Sequence, residues 1–288
     1  MPSASLDIIR TAQNADGGWP YRKGGSWTEP TVFALLAMLA AKTPPPREHP
    51  SLIWLRKTQR QDGGWAPRPA VDQTTWVTAL VALLPSELLG KPAHMRAVNW
   101  LLKHSGMEST SGFQVREFLV TGELPGNSDS GWPWYPGAAA WVTPTAMSTL
   151  ALKKCYWRTP AAVLRERIDA AQSFLLSRRC ADGGWNHGSA RALGYNSDSY
   201  PETTGQALMG MHGKDSKVLE PSFLRARQLL TECRSAAGYA WLRLGLASHK
   251  QLPLNLAARR LRCHTIADTA LEFIADRAEA GYNVLLDS

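Results

Sequence analysis

The chain has no uninterrupted apolar run of the about 18 to 20 residues that a membrane-spanning helix needs. Its N-terminal residues MPSASLDIIRTAQN contain no apolar stretch able to act as a signal peptide. The four cysteines are widely separated and lack the CxxC or Cys/His spacing of zinc sites, so we expect reduced thiols, no metal and no cofactor. These absences favour a cytoplasmic protein and leave peripheral membrane contact open.

Dense runs of one charge are also missing, although the formal charge is +8. Lys and Arg are scattered and no run resembles a nucleic-acid-binding arm, so we expect no nucleic-acid partner. The richest basic cluster consists of Arg259, Arg260, Arg262 and His264. Two interpretations stay open for it, a solvated face and a contact for anionic lipid head groups.

Aromatic and apolar residues are abundant. The 288 residues are 44% hydrophobic and include 12 Trp, which is high for a globular chain and suits either dense packing or an apolar cavity. The length is sufficient for a sizeable core, and we expect one domain over residues 1–288.

A short phrase, Asp-Gly-Gly-Trp, occurs at 16–19, 62–65 and 182–185, and a degenerate copy, Asp-Ser-Gly-Trp, occurs at 129–132. Recurrence at roughly fifty-residue intervals indicates repeated supersecondary units. The repeats are clear over 6–212 and degenerate over 213–288.

The residue types of the phrase predict a turn. Paired glycines supply positive φ, the Asp carboxylate caps backbone N–H groups, and the Trp packs back over the hairpin. Asp16, Asp62 and Asp182 are alternatively acids or ligands, but a catalytic group rarely needs three copies, so a structural role is favoured.

Each turn separates two kinds of helix. An amphipathic helix precedes it, and an Ala- and Leu-rich helix that is apolar nearly all round follows it. An outer helix, a turn and an inner helix therefore form one repeat. The length allows about six such hairpins, which predicts an all-α fold, an α/α toroid with two concentric layers.

The pattern QxxDGGW followed by a Thr/Ala/Leu helix resembles the glutamine-tryptophan repeat of the squalene-hopene and oxidosqualene cyclases. Their α/α toroid is shared with the protein prenyltransferase β subunits. The resemblance implies a single toroid that binds or transforms an isoprenoid. In the cyclases, the acid that protonates the alkene belongs to an Asp-x-Asp-Asp motif directly before Thr-Ala at the start of an inner helix.

This sequence has no Asp-x-Asp-Asp, and it also lacks the Asp-Asp-x-x-Asp that would bind magnesium diphosphate. Aligning the inner helices puts Glu29, Thr74, Thr143 and Glu202 at the position of the middle Asp. Glu29 and Glu202 are therefore the candidate catalytic acids. A carboxylate at a helix N-terminus is also favoured by the helix dipole, so a structural role stays open for both.

Other polar and aromatic residues lie close to the predicted starts of inner helices. We predict that five aromatic residues line the mouth of a cavity and bind substrate, with core or loop packing as the alternative for each: Trp27, Trp76, Trp134, Trp141 and Tyr200. Asp129 and Asp198, in two Asn-Ser-Asp-Ser loops, are candidate ligand-binding residues, with Asx-turn formation as the alternative. Asp268 and Glu272 are spaced i, i+4 and are more typical of a solvated pair.

Two functions follow from these observations. The first is a terpenoid-cyclase-like toroid that binds or transforms an isoprenoid in a central aromatic cavity. A cyclase reaction of this kind would be isomerase- or lyase-like, and no particular reaction is assigned because the Asp-x-Asp-Asp motif is missing. The second is a non-catalytic scaffold, or a protein- or lipid-binding module, on the same toroid.

Overall fold

The computed structural model describes residues 2–109, 119, 130–188, 191–192, 195–252 and 259–287. Helices dominate this part of the chain. They are α1 (Pro2–Thr11), α2 (Thr28–Ala40), α3 (Pro50–Thr58), α4 (Val77–Ala82), α5 (Ser86–Leu89), α6 (Lys91–Lys103), α7 (Val142–Arg158), α8 (Ala162–Ser177), α9 (Pro201–Gly210), α10 (Ser216–Glu232), α11 (Ala236–Ser248) and α12 (Ile266–Glu279). Short strands β1 (Trp132–Pro133) and β2 (Ala140–Trp141) form one antiparallel pair, and β3 (Arg191–Ala192) and β4 (Tyr195–Asn196) form another.

The helices form the two layers that the repeats predict. An inner ring runs in the order α2, α4, α7, α9, α11 and α12, and α12 packs back on α2 to close it. Helices α1, α3, α6, α8 and α10 lie outside the ring. The all-α toroid is confirmed with five outer–inner pairs, and the sixth inner helix, α12, follows a stretch that contains residues 253–258, outside the described part.

Burial follows the sequence pattern of each layer. In the inner helix α2, every residue except Glu29 and Leu39 is buried. The outer helix α6 buries a single stripe, Ala93, Ala97, Trp100 and Leu101, and leaves its opposite face in solvent. No helix in the described ranges has the length and apolarity needed to span a bilayer.

In the Asp-Gly-Gly-Trp turns, the carboxylate binds the turn itself. Asp62 accepts the Gly64 N–H at 3.0 Å and the Thr74 hydroxyl at 2.7 Å. Partial burial acts to raise the pKa of Asp62, but these hydrogen bonds outweigh it and hold the pKa below its ordinary value. The same N–H bond recurs at Asp16 and Asp182. The predicted structural role of these residues is confirmed.

Each repeat Trp joins an outer helix to the next inner helix. The Trp65 N–H donates to Thr78 Oγ1 at 2.9 Å, and its indole N–H donates to the Leu55 carbonyl at 2.8 Å. The same two bonds are made by Trp19 to Thr31 and Ile9, by Trp132 to Thr145 and Leu101, and by Trp185 to Thr204 and Leu175. All four tryptophans are fully buried, so these bonds satisfy donors that have no access to water.

Neighbouring repeats are joined by a bond that the sequence analysis does not predict. The N–H at an inner-helix start donates to the carbonyl two residues beyond the Trp of a neighbouring turn. The pairs are Thr28 to Pro67, Trp76 to Trp134, Val142 to His187 and Ile266 to Tyr21, at 2.8 to 2.9 Å. The last pair joins α12 to the first turn and closes the ring. Helix α9 begins with Pro201, which has no N–H to donate, and no fifth copy of the phrase follows it.

Side chains occupy the interior of the ring. Phe33 of α2 and Trp241 of α11 are both buried and meet edge to face, with ring centroids 6.0 Å apart. Gly205 of α9 packs so closely on α11 that a Cβ there would lie 2.2 Å from the carbonyl carbon of Trp241. Among the described residues, the predicted central aromatic cavity is not seen at this level of the ring. All four cysteines are free, as expected.

Candidate functional site

The N-termini of the inner helices meet at one rim of the ring, which we call the mouth. The bonds between neighbouring repeats place the first residues of α2, α4, α7 and α12 there. Gly238 near the start of α11 lies beside Pro201 and Glu202 at the start of α9. The mouth therefore collects the residues that precede or begin each inner helix.

Glu29 lies in the first turn of α2 and is half-buried at the mouth. Its carboxylate accepts a hydrogen bond from the Tyr21 hydroxyl. Burial raises the pKa of Glu29 to about 7; the Tyr21 bond acts in the opposite direction, and the negative charges of Glu202 and Asp268 raise it further. Glu29 thus exists as both acid and carboxylate at neutral pH.

Glu202 lies in the first turn of α9, across the ring from α2, and its side chain is exposed. No other described residue donates a hydrogen bond to its carboxylate. Partial enclosure by the surrounding protein raises its pKa, and the charge of Asp268 acts in the same direction. The structure brings the two predicted acids to the same rim, where their charges interact, but only Glu29 is held by a partner.

Asp268, which the sequence analysis treats as part of a solvated pair, belongs to the same group. Its carboxylate accepts the N–H groups of His264 and Thr265 at 2.9 and 3.0 Å, and the Thr265 hydroxyl accepts the Asp268 N–H in return. This capping box fixes a negative charge at the start of α12. The solvated-pair interpretation is wrong for Asp268. Asp268 directly precedes Thr269-Ala270, just as the Asp-x-Asp-Asp motif of the cyclases precedes Thr-Ala. This sequence pattern indicates Asp268 as a residue of the mouth.

Tyr21 is the other residue that the sequence analysis missed. It stands two residues after Trp19, the position whose backbone carbonyl receives the N–H of a neighbouring inner helix. Its ring packs edge-on against Trp27, with centroids 5.4 Å apart, while its hydroxyl reaches Glu29. Burial and the adjacent Glu29 carboxylate raise the pKa of Tyr21, so it stays a hydrogen-bond donor at neutral pH.

The five aromatic residues predicted to line the mouth do lie at that rim. Trp27 carries the Arg68 guanidinium 5.0 Å above its ring. Trp76 and Trp134 meet edge to face at 5.1 Å. Trp141 and Tyr200 precede α7 and α9 and are 37% and 48% exposed, which leaves aromatic surface open to a ligand. Their role in substrate binding stays a prediction.

The remaining predicted positions are less favourable for function. Asp198 is exposed on the loop before α9, and Asp129 lies outside the described residues. The alignment of Thr74 with Glu29 is wrong, because Thr74 binds the turn carboxylate as Ser26 and Ser199 do in their own turns. The interval from this side chain to the threonine that accepts the Trp N–H is one residue shorter in the second repeat, Thr74 to Thr78, than in the first and fourth repeats. The sequence pattern alone does not locate this deletion.

Two arginines of the basic cluster are already bound by the protein. Arg260 pairs with Glu272 and Asp276, each at 2.9 Å, and Arg259 donates to the Thr231 carbonyl at 3.0 Å. The guanidinium groups of Arg260 and Arg259 therefore already have partners within the protein. Membrane contact by the cluster stays a prediction.

Comparisons with known proteins support the same class of fold. No protein-family model matches the chain. A squalene-hopene cyclase of Zymomonas mobilis subsp. mobilis is 26% identical over 141 residues, which cover 42% of this chain and 20% of the cyclase. The match thus spans about a fifth of the length of this curated relative.

Solved structures resemble the chain over almost its whole length. The type II terpene cyclase MstE from Scytonema superposes with a TM-score of 0.56 at 15% identity, covering 97% of this chain and 98% of that one. A complex of an MstE variant with merosterolic acid A, its product, gives 0.52 at 17% identity over 94% and 78%. The chain therefore has a squalene-cyclase-like α/α toroid fold.

A protein of different activity has the same architecture. A polysaccharide lyase superposes with a TM-score of 0.53 at 10% identity, over 98% of each chain. At these identities the likeness concerns the fold alone, so the substrate has to be argued from the residues at the mouth.

Proposed function

We propose that this protein binds an isoprenoid chain at the aromatic mouth of the ring and uses Glu29 to exchange a proton with it. The observation that carries the proposal is the Tyr21–Glu29 pair, in which a carboxyl group has its pKa raised to about 7. Such a group is protonated in a large share of the molecules at neutral pH, and Tyr21 stabilises the carboxylate that remains once the proton has been given up.

The corresponding reaction is an acid-initiated isomerisation. The π electrons of a substrate C=C bond take the proton of Glu29, the O–H bond breaks, and a carbocation forms on the substrate. Loss of a proton from a neighbouring carbon forms a new C=C bond and returns the proton to the protein, so the atoms and charges balance. The exposed faces of Trp141 and Tyr200 are suited to stabilise the cation through cation–π contacts.

Glu202 and Asp268 assist through their charge. Both raise the pKa of Glu29, which keeps it protonated, and neither needs to contact the substrate for this effect. A structural neighbour, the type II terpene cyclase MstE, is resolved with merosterolic acid A as product, and this supports an apolar ligand on this fold.

The test is incubation of the purified chain with squalene and with shorter linear isoprenoids, followed by product analysis. The Glu29→Gln variant should lose turnover while binding is kept, since the amide preserves the shape of the site but has no acidic proton. The Glu202→Gln variant should keep turnover with a changed pH profile. Turnover of an anionic polysaccharide and of no isoprenoid would refute the proposal.

A second candidate is a non-catalytic isoprenoid- or protein-binding module on the same toroid. The filled interior at Phe33 and Trp241 favours it, because an enclosed cavity is what normally shields a carbocation from water. Saturable isoprenoid binding, unchanged in Glu29→Gln and accompanied by no product, would support this candidate over the first.

A further inference from the structure

A recess lies at the end of the ring opposite the mouth, where α4 and α7 end. It has a volume of about 520 Å³, which is within the range of small-molecule sites. It exists because α4 is six residues long whereas its neighbour α7 has 17. The chain leaves α4 and turns through Pro85, so the last turns of α7 face the recess.

Most of the wall is apolar. Val98 and Leu102 of α6 and Leu164 of α8 contribute to it, and Met95 and Val163, which are 63% and 53% exposed, also line it. When a hydrocarbon chain covers apolar side chains that are exposed at a concave surface, the free energy falls because apolar area is removed from water.

The charged side chains in the wall are all basic, namely Lys91, Lys154 and Arg158. Arg158 pairs with Glu87 at 2.9 Å. Lys154 is buried and donates to the Val284 carbonyl at 2.7 Å, and it has no ion pair within the described residues. Burial lowers the pKa of Lys154 to about 8, so the amine is still largely protonated at neutral pH. A buried cation of this kind is stabilised by an anionic partner.

We propose that this recess binds a single-chain amphiphile with a carboxylate or phosphate head group. The hydrocarbon chain lies against the apolar wall of α6 and α8, and the head group faces Lys154 and Lys91. The site is at the other end of the ring from Glu29, so it does not depend on the function proposed for the mouth.

The test is isothermal titration calorimetry of the purified chain with decanoate and decyl phosphate below their micelle concentrations, beside decyltrimethylammonium. The two anions should bind with one-to-one stoichiometry, and the cation, which has the same chain, should not. Lys91→Glu should weaken decanoate binding about three- to tenfold at low salt. Val98→Trp should weaken it about tenfold or more, because the larger side chain occupies part of the space in which the hydrocarbon chain lies.

The matched control is Lys103→Glu, which makes the same charge change on α6 at an exposed position outside the wall. It should leave the affinity unchanged, and so should Glu29→Gln. Equal binding of the cation, equal loss in the two lysine variants, or no binding of either anion would overturn the proposal. Decanoate affinity that is unchanged in both Lys91→Glu and Val98→Trp would place the amphiphile elsewhere and overturn the proposal as well.

Discussion

Neutralising Glu29 should stabilise the protein at alkaline pH and leave it unchanged at acid pH. Burial raises the pKa of Glu29 from an ordinary value of 4.5 to about 7, so the folded chain holds this proton more tightly than the unfolded chain does. Stability then falls as the pH rises from about 4.5 to about 7, where the unfolded chain alone has lost the proton, and stays lower above that range.

The size of the effect follows from the same values. Each pH unit in this window costs about 1.4 kcal/mol, so the full difference amounts to about 3 kcal/mol. Water reaches this half-buried carboxyl group, which reduces the expected penalty to about 1 to 3 kcal/mol. In Glu29→Gln the side chain is neutral at every pH, and its amide oxygen still accepts the Tyr21 hydroxyl, so the penalty disappears.

The assay is urea unfolding, followed by tryptophan fluorescence, at several pH values between 4.5 and 8. Glu29→Gln should match the parent near pH 4.5 and exceed its free energy of unfolding by about 1 to 3 kcal/mol at pH 8. Glu220→Gln makes the same chemical change at an exposed position on α10 and serves as the control. A difference that does not vary with pH, or a variant less stable at pH 8, would refute the reasoning.

Two further predictions concern the turns. Thr78→Val keeps the side-chain shape but leaves the buried Trp65 N–H without its acceptor, which should cost about 1 to 3 kcal/mol in urea unfolding. Gly183→Ala should cost more than about 3 kcal/mol, because φ is 94° and a Cβ would lie 2.6 Å from the Pro221 carbonyl oxygen. Gly213→Ala, with φ of 83° and open space around it, should cost only the backbone strain of about 1 to 2 kcal/mol; equal losses at the two glycines would contradict the close-contact explanation.

The fold was predictable because the turn chemistry is local. Gly17, Gly63 and Gly183 all have φ near 95°, as paired glycines after an outer helix predict, and each turn Asp binds an N–H two residues on. The residue types alone specify these interactions. Two layers of helices follow from the two hydrophobic patterns.

The bonds that join repeats were not predictable, because they are backbone bonds between residues far apart in sequence. Ile266 and Tyr21 are an example, since neither residue type indicates the contact that closes the ring. For the same reason Tyr21 was missed as the partner of Glu29. The closeness of Asp268 to both glutamates likewise depends on ring closure, not on local sequence.

The interior of the ring shows a different limit. Helices that are apolar nearly all round are compatible with an open aromatic cavity and with a filled core. Hydrophobicity does not show whether the side chains of facing inner helices are long enough to meet. Contact between Phe33 and Trp241 depends on the distance across the ring. The residues predicted to surround a ligand therefore do meet at one rim, and at the level of Phe33 and Trp241 the described side chains fill the interior behind them.

The most direct test is a measurement of the Glu29 pKa. Carboxyl carbon chemical shifts of ¹³C-labelled glutamate are followed against pH, and the Glu29 signal is identified by its absence in Glu29→Gln. The titration midpoint should lie near pH 7 and move higher in Tyr21→Phe, where the donor that stabilises the carboxylate is gone. A midpoint near 4.5, or one that Tyr21→Phe leaves unchanged, would contradict the proposal that this pair forms an acid site at the mouth of the ring.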